Sequence, residues 1–88
     1  MRAGALQMDA NSHDEKPLLS PREFEILLLS AEGETDAVIA SSLGISHTTV
    51  RFHLRNACLK LKAINRRHAI YIAFNLGVFE RVLNDDAG

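Results

Sequence analysis

The sequence predicts an all-α domain of four short helices. Three observations carry that prediction. Apolar residues recur at helical spacing in four stretches; Gly33, Gly44 and Gly77 stand where three of them stop; and Ser20, Thr35, Ser46 and Asn65 stand where the four begin. At 88 residues, 47% apolar and 24% charged, the chain has the composition of one small folded domain and is too short for a multi-domain enzyme.

Residues 1–17 (MRAGALQMDANSHDEKP) mix small, polar and acidic types without periodicity and are expected to form a flexible acidic leader. The folded domain is expected over 18–80, with 81–88 as a tail. Ser20, Pro21, Arg22 and Glu23 make a complete helix start: a hydroxyl for the first free amides, proline at the first helical position, and an acid three residues after the cap. This helix should run to about Ala31, with Phe24, Leu27, Leu28 and Ala31 at i, i+3, i+4 and i+7 and Gly33 as a left-handed stop.

A shorter helix follows Thr35 and runs through Val38, Ile39, Ala40 and Leu43 to Gly44. Ile45 alone separates that glycine from a third start at Ser46, and the third helix covers about His47 to Leu61. Short helix, glycine turn and longer helix together form the helix-turn-helix pattern. On a helical wheel Val50, Leu54, Ala57 and Leu61 fall on one side; Thr48, Arg51, Phe52, Arg55 and Leu59 lie roughly opposite. One face should pack while the other presents guanidinium groups.

Asn65 can cap a fourth helix from Arg66 to about Leu76, stopped by Gly77. In Ala69 to Phe79 (AIYIAFNLGVF) the polar side-chain groups are the Tyr71 hydroxyl and the Asn75 amide. A small three-helix core cannot cover every side of such a helix, so an apolar strip should meet a second subunit. Ile70, Tyr71, Phe74, Asn75 and Val78 are the candidate dimer-interface residues. The competing expectation is that the tail from Glu80 onward folds back over the strip.

Charge is segregated along the chain. Residues 1–36 carry −5, residues 37–79 contain no Asp or Glu and carry +6, and residues 80–88 carry −2, for a total of −1. The basic stretch holds Arg51, Arg55, Lys60, Lys62, Arg66 and Arg67. Such asymmetry fits one surface that meets a polyanion, although a solvated helix face is the plainer account of the same charges.

Cys58, the one cysteine, has no internal disulfide partner and suits a reducing compartment. No apolar run approaches the roughly 20 residues of a membrane helix, and the start lacks a secretory pattern, so a cytoplasmic protein without membrane contact is expected. His47, His53, Cys58 and His68 lack any close ligand pair, so no metal or other cofactor is expected. His53 should instead pack beside the interior or reach a phosphate. There is no nucleophile elbow, phosphate-binding glycine loop or paired carboxylate site, which argues against an enzyme.

The text L-S-P-R-E at 19–23, A-x-G at 31–33, I-A-x-x-L-G-I-S at 39–46, T-V-R-F-H-L-R at 49–55, K-L at 60–61 and A-I-x-x-A-x-x-x-G at 69–77 resembles the DNA-binding domain of LuxR/GerE-type bacterial transcription regulators, most of all the quorum-sensing branch. The resemblance implies a four-helix domain whose third helix enters the major groove and whose fourth pairs two subunits. Carried over residue by residue, it implies base contacts from Arg51, Phe52 and Arg55 and phosphate contacts from Ser46, Thr48, Thr49 and Lys60. Arginine chemistry agrees, since a guanidinium can grip guanine O6 and N7 together; Phe52 would meet a thymine methyl. The implied partners are an inverted-repeat duplex, a second copy of the chain, and another LuxR-type regulator or RNA polymerase. A single-domain antagonist that pairs with full-length regulators and ignores DNA is the alternative.

Three residues depart from the family pattern. Val38 replaces the usual Glu and breaks the Thr35 capping box; Lys62 stands where Gly or Asn is common, which makes a left-handed turn costlier; Asp36 replaces the common Asn and adds negative charge beside the DNA backbone. The family usually places a regulatory domain ahead of this one, which binds an acyl-homoserine lactone or accepts a phosphoryl group. With a leader alone before Leu18, a single-domain member or a fragment is expected.

Overall fold

A computed structural model describes residues 18–80. The leader at 1–17 and the tail at 81–88, with the fold-back expected of it, lie outside the described residues. Four helices follow one another: α1 (Pro21–Ala31), α2 (Asp36–Leu43), α3 (His47–Leu61) and α4 (Arg66–Asn75). Their order and kind match the all-α expectation, and α4 ends one residue earlier than its periodicity suggests.

Each helix begins on the expected cap. Ser20 Oγ accepts the Glu23 amide at 3.1 Å, and Glu23 Oε1 accepts the Ser20 amide at 2.9 Å, which completes the capping box of α1. Thr35 Oγ1 accepts the Val38 amide at 3.2 Å, but valine returns no bond, so the box stays half made. Ser46 Oγ accepts the Thr49 amide at 3.0 Å and shares a 3.0 Å bond with the Thr49 hydroxyl. Asn65 Oδ1 accepts the His68 amide at 2.8 Å, while His68 Nδ1 accepts the Ile64 amide at 3.0 Å. Caps of this type stabilise a helix by about 1 kcal/mol each.

The α2 to α3 turn depends on Gly44, whose φ of 69° is left-handed. After α3 the same conformation falls on Lys62, at φ 59°. A side chain there costs about 1–2 kcal/mol relative to right-handed backbone, which glycine would largely avoid.

Helix α3 packs against the other three, with Val50, Leu54, Ala57 and Leu61 all buried as the wheel requires. Around them gather Ile26 and Leu27 of α1, Ile39 and Ala40 of α2, and Ala69 and Ala73 of α4. The inner face of α1 differs from the expected stripe. Glu23, Ile26 and Leu27 are buried, whereas Phe24 and Leu28 are half-buried and Ala31 is exposed. The helix PREFEILLLSA is apolar on more than one side, so tertiary partners chose its rotation. Phe79, beyond α4, closes the base of the core at 7% exposure with its ring 6.0 Å from that of Phe24.

Candidate nucleic-acid interface

With its opposite side committed to the core, α3 is held so that Arg51, Phe52 and Arg55 point outward, all three exposed. Leu59 extends the same face at 69% exposure. Arg51 and Arg55 have no carboxylate within ion-pair distance among the described residues. Within the described residues, nothing occupies their guanidinium donors. At the start of α3, Ser46 and Thr48 are exposed and Thr49 is half-buried. Ser46 Oγ is used as the cap and the Thr49 hydroxyl bonds to it, yet each hydroxyl keeps capacity for a further bond.

Lys60 stands apart from the other expected phosphate contacts. Its Nζ is 2.7 Å from Glu23 Oε1, in an ion pair between a half-exposed lysine side chain and a buried glutamate. Burial pushes the Glu23 carboxyl up, but the Lys60 ammonium and the Ser20 amide and hydroxyl outweigh it and hold the group below its ordinary value. The glutamate that caps α1 thus also anchors the last turn of α3. An ammonium has three donors, so Lys60 can reach a phosphate only while sharing its charge with Glu23.

Arg66 is neutralised as well. Its Nη1 is 2.8 Å from Asp36 Oδ1, and its Nη2 donates to Asp36 Oδ2 at 2.9 Å. The Arg66 hydrogen bond, opposed by burial and aided by the charges of Arg66, Arg51 and His47, keeps the Asp36 carboxyl below its ordinary value. Neither ion pair was visible in the sequence, because the partners are 37 and 30 residues apart.

The remaining histidine and thiol play quieter parts. His53 is half-buried, with its ring edge-on to Phe52 at 5.3 Å between centroids. Burial pushes the Cys58 thiol up, against the pull of Arg66, which leaves it a poor nucleophile. Among the described residues no three His, Cys, Asp or Glu side chains are grouped to hold a metal ion, and no helix is long and apolar enough to cross a membrane.

On α4, Tyr71 and Phe74 are 64% and 69% exposed, and Asn75 is exposed beside them. Ile70 and Val78 are half-buried against the domain's own core, so they offer an outside partner less surface than the pattern suggested.

A capped short helix, a left-handed glycine turn and a longer helix with an outward basic face define a helix-turn-helix domain. Residues 17–73 match the family described as bacterial regulatory proteins, luxR family. The chain is 44% identical over 81 residues to the transcriptional activator protein CarR of Pectobacterium carotovorum subsp. carotovorum, a match that covers 85% of this chain and 33% of that protein. It is 43% identical over 72 residues to the quorum sensing-dependent transcriptional regulator VjbR of Brucella abortus (strain 2308), with 82% of this chain and 27% of that protein covered. Among solved structures, that of the transcription factor GerE superposes with a TM-score of 0.65 at 35% identity, over 72% of this chain and 92% of that one. The chain belongs to the luxR family of bacterial regulatory proteins, a family of DNA-binding transcription regulators and not of enzymes. It spans a third or less of the length of these two curated relatives.

Proposed function

We propose that this domain is a sequence-specific reader of duplex DNA that acts as a homodimer. One observation carries the reading: Arg51 and Arg55 stand exposed, without a carboxylate partner among the described residues, on a helix whose opposite face is fully packed. In this reading α3 lies in the major groove, Arg51 and Arg55 grip base edges, and Phe52 meets a thymine methyl. Ser46, Thr48 and Thr49, at the start of α3, and Lys60, at its end, meet the phosphate backbone. Two copies pair through the exposed Tyr71, Phe74 and Asn75, with Ile70 and Val78 at the margin, and read an inverted repeat with half-sites about one helical turn apart.

Selection from random duplexes at moderate salt tests this. Enrichment of a symmetric site with two half-sites is the expected result. Failure to enrich any sequence overturns the reading; if the same protein instead associates with a full-length LuxR-type regulator, the antagonist role takes its place.

A further inference from the structure

Asp36 joins two helix starts through its pair with Arg66. It opens α2, His47 opens α3 and Arg66 opens α4. Helix starts are electropositive, and α3 and α4 carry no acid in their first turns. Arg66 approaches with both terminal nitrogens, at 2.8 and 2.9 Å. The fit is lopsided: Oδ2 takes a hydrogen bond, while the buried Oδ1 is close to Nη1 but off its N–H direction and accepts no bond among the described residues. His47 and Arg51, from the first two turns of α3, act on the same carboxylate by charge. Asp36 is therefore the acid at the start of α2 and the direct ion-pair partner of Arg66 at the start of α4.

The start of a recognition helix lies next to the DNA backbone, so charge at this junction acts directly on phosphate attraction. Resting on the DNA-binding reading above, we propose that Asp36 is a brake on sequence-independent DNA binding: by occupying Arg66 it withholds one cation from the phosphates. Binding then depends on base contacts and on pairing of two copies. Such a brake acts on every duplex alike, because phosphate contacts carry no sequence information.

The test compares wild type with Asp36→Asn and Asp36→Ser on a duplex lacking the selected site, across a salt series, with circular dichroism to verify folding. Asp36→Asn is expected to bind this duplex about threefold more tightly at low salt, the effect of one unit charge some 7 Å from a phosphate in water. The slope of log affinity against log salt should steepen by about 0.9, the value for one further phosphate neutralised. In Asp36→Asn combined with Arg66→Gln the slope should return to the wild-type value. Folded single variants with an unchanged slope overturn the proposal, as does a double variant that keeps the steeper slope. If neither single variant folds, Asp36 is a structural residue and the proposal falls. A wild-type chain that binds no duplex at all overturns the DNA-binding reading itself, an outcome separate from the others.

Discussion

Lys60 Nζ and Glu23 Oε1 meet at 2.7 Å across a sequence separation of 37 residues, and the same oxygen accepts the amide that opens α1. One carboxylate thus fixes a helix start and ties it to the end of α3. Glu23→Ala removes both functions and should lower stability by about 2 kcal/mol, one lost cap plus one charge-assisted hydrogen bond. Glu23→Gln, which can still accept the Ser20 amide, should cost less, and urea unfolding of the two variants distinguishes cap from ion pair. Equal losses would show that the neutral cap bond contributes nothing and that the ion pair with Lys60 carries the whole effect.

The two lowered carboxyls set an acid limit. Glu23 and Asp36 lie below their ordinary values of 4.5 and 3.8 in the folded chain. A depressed folded value means stability that is fully present above the unfolded value and is lost as pH falls through the folded one. The melting temperature should therefore be nearly level from neutral pH to about pH 5 and should fall below that, and Glu23→Gln with Asp36→Asn should flatten the decline. A decline just as steep in the double variant would remove these two groups from the account.

Arg51→Ala and Arg55→Ala should each relax preference at one position of the half-site, with a loss of about 1–3 kcal/mol on the preferred sequence and little change on random DNA. Binding to a panel of singly altered duplexes measures this. Lys60→Ala, by contrast, should weaken all duplexes alike and also lower stability, because it leaves buried Glu23 without its partner. If both arginine variants keep full discrimination, α3 is not the reader.

Lys62 occupies a left-handed position that glycine fills at lower cost. Lys62→Gly should therefore raise stability by up to about 1 kcal/mol, the relief of side-chain strain less the added freedom of the unfolded chain. Thermal unfolding with an unchanged fold by circular dichroism tests it; a destabilised variant would mean that the strain is already offset.

Tyr71 and Phe74 lie one turn apart on α4 and are mostly exposed. Changing both to Ser should leave the melting temperature within a few degrees of wild type but abolish cooperative binding to a two-half-site duplex, a behaviour expected of surface apolar residues that serve an interface. Analytical ultracentrifugation with and without the duplex measures the pairing. Undiminished pairing would move the interface elsewhere.

Helix α3 was legible because Val50, Leu54, Ala57 and Leu61 recur at helical spacing among polar residues, which leaves one packing solution. The caps were legible too, since Ser20, Thr35, Ser46 and Asn65 act on residues three positions away. Helix α1 was less so: its apolar run allows several rotations, and the observed one follows from Glu23 turning inward to a lysine far along the chain. The same distance hid the Asp36–Arg66 pair. Charge counting credited the basic stretch with six cations, but folding returns acids from α1 and α2 to two of them. Phe79 was read as part of the apolar stretch expected to leave a strip for a second subunit, but it is buried in the domain's own core, because beyond the last helix periodicity gives no guide to which side a residue faces.

The family match stops at residue 73, yet Phe79 corks the foot of the bundle against Phe24. A fragment trimmed to the matched stretch would lose that cork and let water in beneath α1 and α4. An end chosen from family likeness alone would thus leave part of the core open, and a piece that keeps the core closed runs through Phe79.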